Sequence, residues 1–270
     1  MRAPLFLIPV ALSSAGCSSP AEIERKTGVA AEASGVPPAA ARAAAFTDSD
    51  ERDGGMREFA YSWPAAVSAQ PGLARQLAAE RDAVLAQEKA EWTAALADSP
   101  ADCTGCRGRA YTIAWTVVAD TPGWLSLSGE VATYTGGAHG MSARRSLVWD
   151  KAARKAMDGA ALFRSPEALD AALGPKLCAA LNAERETRRG EPVPPPADGD
   201  FGFDSCQSAK DATVLVGSST GQAFDRIGIW FGPYVAGSYA EGPYELDFPV
   251  DAAVLRAVKP EFAKAFGATR

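Results

Sequence analysis

The chain has 270 residues, 47% of them hydrophobic and 22% charged, the make-up of an ordinary folded protein. Its formal net charge of -6 argues against a nucleic-acid partner, which would want a basic stripe, and fits a domain that avoids an anionic membrane surface. The length suits one large domain or two small ones.

The first residues read as an export signal. Arg2 is followed by an apolar run from Leu5 to Leu12, then by Ser13, Ser14, Ala15, Gly16 and Cys17. The run is far shorter than the ~20 apolar residues of a bilayer-spanning helix. Ala15-Gly16-Cys17 resembles the lipobox of bacterial lipoproteins, with Ser14 where that pattern prefers Leu. The expectation is a signal peptide over residues 1–17, acylation of Cys17, and a mature chain facing the periplasm or exterior, held to a membrane by its lipid alone. Plain secretion is the competing reading. Residues 18–55, rich in Ala, Pro, Ser, Gly and charge without apolar period, read as a flexible tether.

The first strand is expected over residues 56–63, where Phe59, Tyr61 and Trp63 alternate and Pro64 stops the pattern. Pro71 then opens a helix whose apolar face carries Leu73, Leu77, Val84, Leu85, Trp92 and Leu96, and which ends near Ser99-Pro100. Three strands follow. Tyr111 to Val117 alternate cleanly, Leu125 to Tyr134 form the next, and Ser146 to Trp149 the third, with Pro122-Gly123 and Gly136-Gly137-Ala138-His139-Gly140 as connections. A second unit starts with Ser165 as N-cap and Pro166 at the first helical position. Leu169, Leu173, Leu177 and Leu181 repeat at helical spacing up to Arg188-Arg189-Gly190. Strands are expected at 213–216, 226–231 and 244–248, and a last helix capped by Asp251 and interrupted at Pro260. The predicted fold class is α+β, helices packed on antiparallel sheets in two closely associated subdomains, 56–163 and 164–270.

There are five cysteines. With Cys17 lipidated, Cys103, Cys106, Cys178 and Cys206 remain, an even number that allows three pairings. Cys103–Cys106 with Cys178–Cys206 is the favoured set, because the first two are already close along the chain. A redox Cys-x-x-Cys would follow a strand and open a helix. Cys103-Thr104-Gly105-Cys106 instead lies in a Ser/Pro/Asp/Gly-rich stretch ahead of a strand, which points to a structural bridge.

His139 is the one histidine. It leaves no histidine pair for a metal, and no H-E-x-x-H, P-loop or dinucleotide fingerprint is present. No metal and no cofactor are expected. The Gly136, Gly137, His139, Gly140 loop reads as a tight connection or as a binding loop with an imidazole and open backbone amides. Residues 231–244 form the second notable stretch, in which two Gly-Pro steps frame Tyr234, Tyr239 and Tyr244 around Glu241. Tyrosine is enriched at recognition surfaces but also covers cores.

In this order and separation, Tyr134-Thr135-Gly136-Gly137-Ala138-His139-Gly140 and the stretch from Gly232 to Gly242 resemble an extracytoplasmic family of bacterial envelope proteins. It includes the anti-sigma factor RsiV and the non-catalytic region of the peptidoglycan deacetylase PdaC. Asp150, Leu162 and Phe163 fit the continuation of its first domain, and the likeness runs from about Met56 to Phe266. It implies a PdaC-like N-terminal domain, an RsiV-like C-terminal domain and a binding role rather than an enzymatic one, with lysozyme-like protein or cell-wall glycan as partners. The ligand-binding candidates are Gly136, Gly137, His139, Gly140, Tyr234, Tyr239, Glu241 and Tyr244. An envelope hydrolase using His139 and a purely structural lipoprotein are the alternatives.

Overall fold

A computed structural model describes residues 41–195 and 202–268. The expected signal peptide, Cys17 and the first part of the tether lie outside the described residues. Among the described residues no helix is long and apolar enough to cross a membrane.

The fold begins earlier than composition indicated. Ala44–Arg52, assigned above to the tether, forms a strand, β1, paired antiparallel with β2, Gly55–Trp63. The two are joined by Asp53-Gly54, both at positive φ, the geometry of a tight primed hairpin turn. β1 is a polar strand. Phe46 is its one large apolar residue and packs edge-on against Phe59, 6.1 Å between centroids. Asp48 on the same side carries ion pairs to Arg57 and Lys89. Such a strand has too few apolar residues to show a hydrophobic period.

From β2 the chain passes through a short helix, α1, Ala65–Ser68, and a long one, α2, Pro71–Asp98. It returns as β3, Arg109–Asp120, parallel to β2. The large sheet is therefore mixed, not antiparallel throughout as expected, because a helical crossover brings the chain back to the same end of the sheet. β4, Trp124–Tyr134, β5, Met141–Asp150, and the short β6, Lys155–Met157, continue it as an antiparallel meander, giving the order β1-β2-β3-β4-β5-β6. Alternate residues of the strands, among them Phe59, Tyr61, Ile113, Trp115, Leu127 and Trp149, bury one face under Leu73 and Leu77 of α2. Glu88, on the buried side of α2, is ion-paired to Arg109 at 2.6 Å.

The second part carries a three-stranded antiparallel sheet in the order β7-β8-β9: β7, Thr213–Gly217, β8, Arg226–Phe231, and β9, Tyr244–Pro249. The leucine repeat spans two helices, not one. α3, Pro166–Leu173, is capped by Ser165, whose hydroxyl accepts from the Ala168 amide, and α4, Pro175–Arg189, follows after a break. Gly174 at φ 55° turns the chain and Pro175 supplies no amide to continue the ladder. All four leucines are nonetheless buried in one core with Ile227, Ile229 and Phe231, each worth about 1.5–3 kcal/mol of burial. Gly190 closes α4 in the left-handed conformation, and Asp251 caps α5, Ala252–Ala257, by accepting from Ala253 and Val254. Leu162 and Phe163 belong to this second core, where Phe163 bridges Val258 and packs on Phe266. The small sheet meets the large one along β7, which packs against β3, β4 and β5.

Both cysteine pairs form as favoured: Cys103–Cys106 and Cys178–Cys206, with Cα separations of 5.3 and 5.2 Å.

Candidate functional site

The two notable stretches, a hundred residues apart in sequence, converge on one surface. The imidazole of His139 stacks on the ring of Tyr239, 3.9 Å between centroids and 23° between planes. Tyr234 continues the row, 5.6 Å from Tyr239. The carbonyl of Gly140 joins the halves: it accepts from the Tyr239 hydroxyl at 2.9 Å and lies 2.9 Å from Nδ1 of His139. A neutral imidazole protonated at Nδ1 donates to it.

The His139 side is shaped by backbone. Gly136 and Gly137 have φ of 89° and 98°, open to glycine at little steric cost. At Gly140 a Cβ would stand 2.7 Å from the Thr133 carbonyl oxygen, so only glycine fits. The loop rests on the turn closed by Cys103–Cys106. The Gly137 amide donates to the Gly105 carbonyl at 3.3 Å, and the Tyr134 hydroxyl lies 3.0 and 2.9 Å from the carbonyls of Gly105 and Gly137, its one proton serving either.

The tyrosine side rests on charged groups. Arg185 is fully buried. Its guanidinium donates to the carbonyls of Ala236 at 2.9 Å and Ser205 at 3.1 Å and to Oδ1 of Asn182 at 2.8 Å. Arg189 bridges Asp204 and Glu241, which raises its own pKa further. Arg188 donates to the carbonyls of Glu241 and Pro243 and lies over the Tyr244 ring at 4.1 Å. The loop carrying Asp204 and Ser205 is tied to α4 by Cys178–Cys206.

Glu241 belongs to this support. Its Oε1 accepts from the Ser238 amide at 3.0 Å and hydroxyl at 3.1 Å, and its Oε2 from Arg189 at 2.9 Å and from the Tyr244 hydroxyl. Burial works to raise its pKa, but these donors outweigh it and hold the carboxyl at about 2. Tyr244 is fully buried, and burial together with its bond to Glu241 pushes its hydroxyl up to about 12. Of the eight candidates, then, Glu241 and Tyr244 hold the segment from below. His139 and Tyr234 are exposed and Tyr239 is half-buried between them.

Tyr234 is 50% exposed and sits at φ 66°. A left-handed backbone costs a non-glycine residue roughly 1–2 kcal/mol. No acidic side chain or serine hydroxyl is hydrogen-bonded to the His139 ring among the described residues, and no cluster of three metal-ligating side chains occurs among them. Sequence reasoning had no signal for Arg185, beyond the positive charge that ends α4.

No family model and no curated protein matches the chain. Among solved structures it is similar to a DUF3298 family protein from Pseudomonas aeruginosa, with a TM-score of 0.49 and 16% identity over 84% of this chain and 97% of that one. It is also similar to a DUF3298 family member from Bacteroides fragilis, with a TM-score of 0.46 and 13% identity over 77% of this chain and 89% of that one. The structural neighbours of this chain are thus DUF3298 proteins, a domain of unknown function.

Proposed function

We propose that this is an exported envelope protein whose mature part is a binding module, and that its ligand docks on the row Tyr234–Tyr239–His139. One observation carries the reading: an exposed tyrosine is held at a backbone conformation that glycine would adopt more cheaply, with its ring beside a stacked Tyr–His pair. Backbone strain of this kind is retained where the surroundings over-determine it, and such places cluster at ligand clamps. Rigid aromatic faces flanked by open backbone suit a sugar ring or a protein loop, since they give contact area at low entropic cost. His139 without a hydrogen-bonded acid or hydroxyl favours binding over hydrolysis.

The likeness of the two motifs to the RsiV and PdaC family makes lysozyme-like protein and cell-wall glycan the first ligands to try. An acidic chain would meet basic lysozyme faster and in a salt-sensitive way. Acylation at Cys17 would keep the module at its membrane, and mass spectrometry of the native N-terminus checks this: an unmodified terminus starting elsewhere removes the anchor from the proposal.

The test is titration with lysozyme and with soluble peptidoglycan fragments, using wild type, Tyr239→Ala and His139→Ala. The expected result is micromolar or tighter binding to one of them, weakened about tenfold or more by Tyr239→Ala. Absence of binding to both rejects these ligands. Equal binding by wild type and both variants rejects the aromatic row as the site.

A further inference from the structure

The cleft where the two sheets meet holds a second site, with no residue of the aromatic row in it. Successive residues of a strand face opposite sides of its sheet. Leu127, Val131 and Leu147 point into the core under α2, and Ser128 and Glu130 on β4 and Arg144 on β5 face away from it. The small sheet does the same. Val214, Ile227 and Leu246 point into the second core, and Leu215, Arg226, Glu245 and Asp247 turn outward. These outward faces line a cavity of about 290 Å³.

The polar groups of the cleft are of both signs. Arg144 stands directly opposite Glu130 in the β4–β5 register, yet its guanidinium reaches over to β9 and donates to Glu245 at 2.7 Å. Arg226 pairs with Asp247. Glu130 is left exposed, with no hydrogen bond or ion pair among the described residues. Ser128 is an independent sign of a ligand. It is 7% exposed, and its hydroxyl makes no hydrogen bond among the described residues. The hydroxyl of Ser126, two residues back on the same face, is sealed off; that of Ser128 is not, and Ser128 lines the cavity. A nearly buried hydroxyl that opens on a cavity finds its partner in whatever fills that cavity. Leu215 and Val118 give the same space an apolar side.

We infer that this cleft binds an uncharged sugar ring. Charge decides the class. Two arginines and three carboxylates line the space, so neither an anion nor a cation meets a field of one sign. An arginine paired with a carboxylate presents donors and acceptors side by side, and a sugar hydroxyl both donates and accepts. The apolar side takes the C–H face of the ring. A volume of about 290 Å³ is at the lower end of the roughly 300–1,000 Å³ of small-molecule sites, room for one ring rather than a chain. The site stands whether or not the aromatic row binds a ligand.

The experiment is calorimetric titration of the full chain with the methyl glycosides of glucose, galactose and N-acetylglucosamine, and with glucosamine and a glucose phosphate as charged counterparts. Millimolar or tighter saturable binding of at least one neutral sugar is expected. Ser128→Ala removes a hydroxyl that holds nothing in the protein, so the fold is kept, and binding should weaken about threefold. Adding Glu130→Ala, at an exposed position, should bring the loss to about tenfold or more. No saturable binding of any neutral sugar overturns the inference, as does binding that the double variant retains in full. A charged counterpart that binds better than every neutral sugar overturns the class. Binding lost in Tyr239→Ala but kept in the double variant moves the sugar to the aromatic row and removes this site.

Discussion

The two segments that build the aromatic row are braced in different ways. The His139 loop rests on a turn closed by a disulfide of sequence separation 3, and the contact between them is backbone to backbone together with one tyrosine hydroxyl. The tyrosine segment rests on α4 through three arginines and a half-buried carboxylate, and its disulfide spans a separation of 28. One side is therefore positioned by chain geometry and the other by desolvated charge. Glycines that only tolerate the shape suffice on the first. On the second, every polar atom must find its partner, because an unmet donor or acceptor in a buried network is expensive.

The largest effect that separates the two sides is loss of a disulfide. Chain-entropy reasoning gives about 3.5 kcal/mol for the long loop against about 2 kcal/mol for the short one. Urea unfolding of Cys178→Ala/Cys206→Ala and of Cys103→Ala/Cys106→Ala should show that order. Equal losses would mean that the short bridge supports more than its own turn. Next in size is Glu241→Gln, which weakens the charged bonds to Arg189, Ser238 and Tyr244 and should cost about 2 kcal/mol near neutral pH. Its pH signature has a definite sign. The folded-state pKa of Glu241, about 2, lies below the ordinary value of 4.5, so its contribution is complete above that range and drains away as pH falls from 4.5 to about 2. Stability curves of wild type and Glu241→Gln should converge over that interval, and parallel curves would remove Glu241 from the acid response. The smallest effect is the most pointed. Tyr234→Gly relieves a left-handed backbone and should raise stability by up to about 1 kcal/mol, while ligand binding at the aromatic row falls. A destabilised variant would show that the ring is there for packing.

Much of this architecture is legible from residue pattern, because period 2 and period 3.6 report burial directly. Phe59-Tyr61-Trp63 and Ile113-Trp115 face the core as their alternation indicates, and Ser165 and Asp251 cap the helices they precede. β1 escaped because a strand can be held by ion pairs of Asp48 and by its neighbour's ladder, neither of which leaves an apolar period. Its signal was the Asp53-Gly54 turn. The break at Gly174 was hidden by a leucine repeat that stays in phase across two helices. At the candidate site, glycines and tyrosines marked both segments, but their meeting is a long-range event that no local pattern encodes. For the same reason Glu241 and Tyr244 read as exposed recognition residues when they are the floor beneath them.

The stack of His139 on Tyr239 also has a spectroscopic consequence. Because the chain has a single histidine, its two imidazole carbon-bound protons are unique among the aromatic signals. Lying over a phenol ring at 3.9 Å, they fall in that ring's shielding region and resonate upfield of a free imidazole. The protein thus carries, without any label, a local reporter placed between its two halves, whose frequency registers a guest on the aromatic row, slippage of the glycine loop, or parting of the two segments.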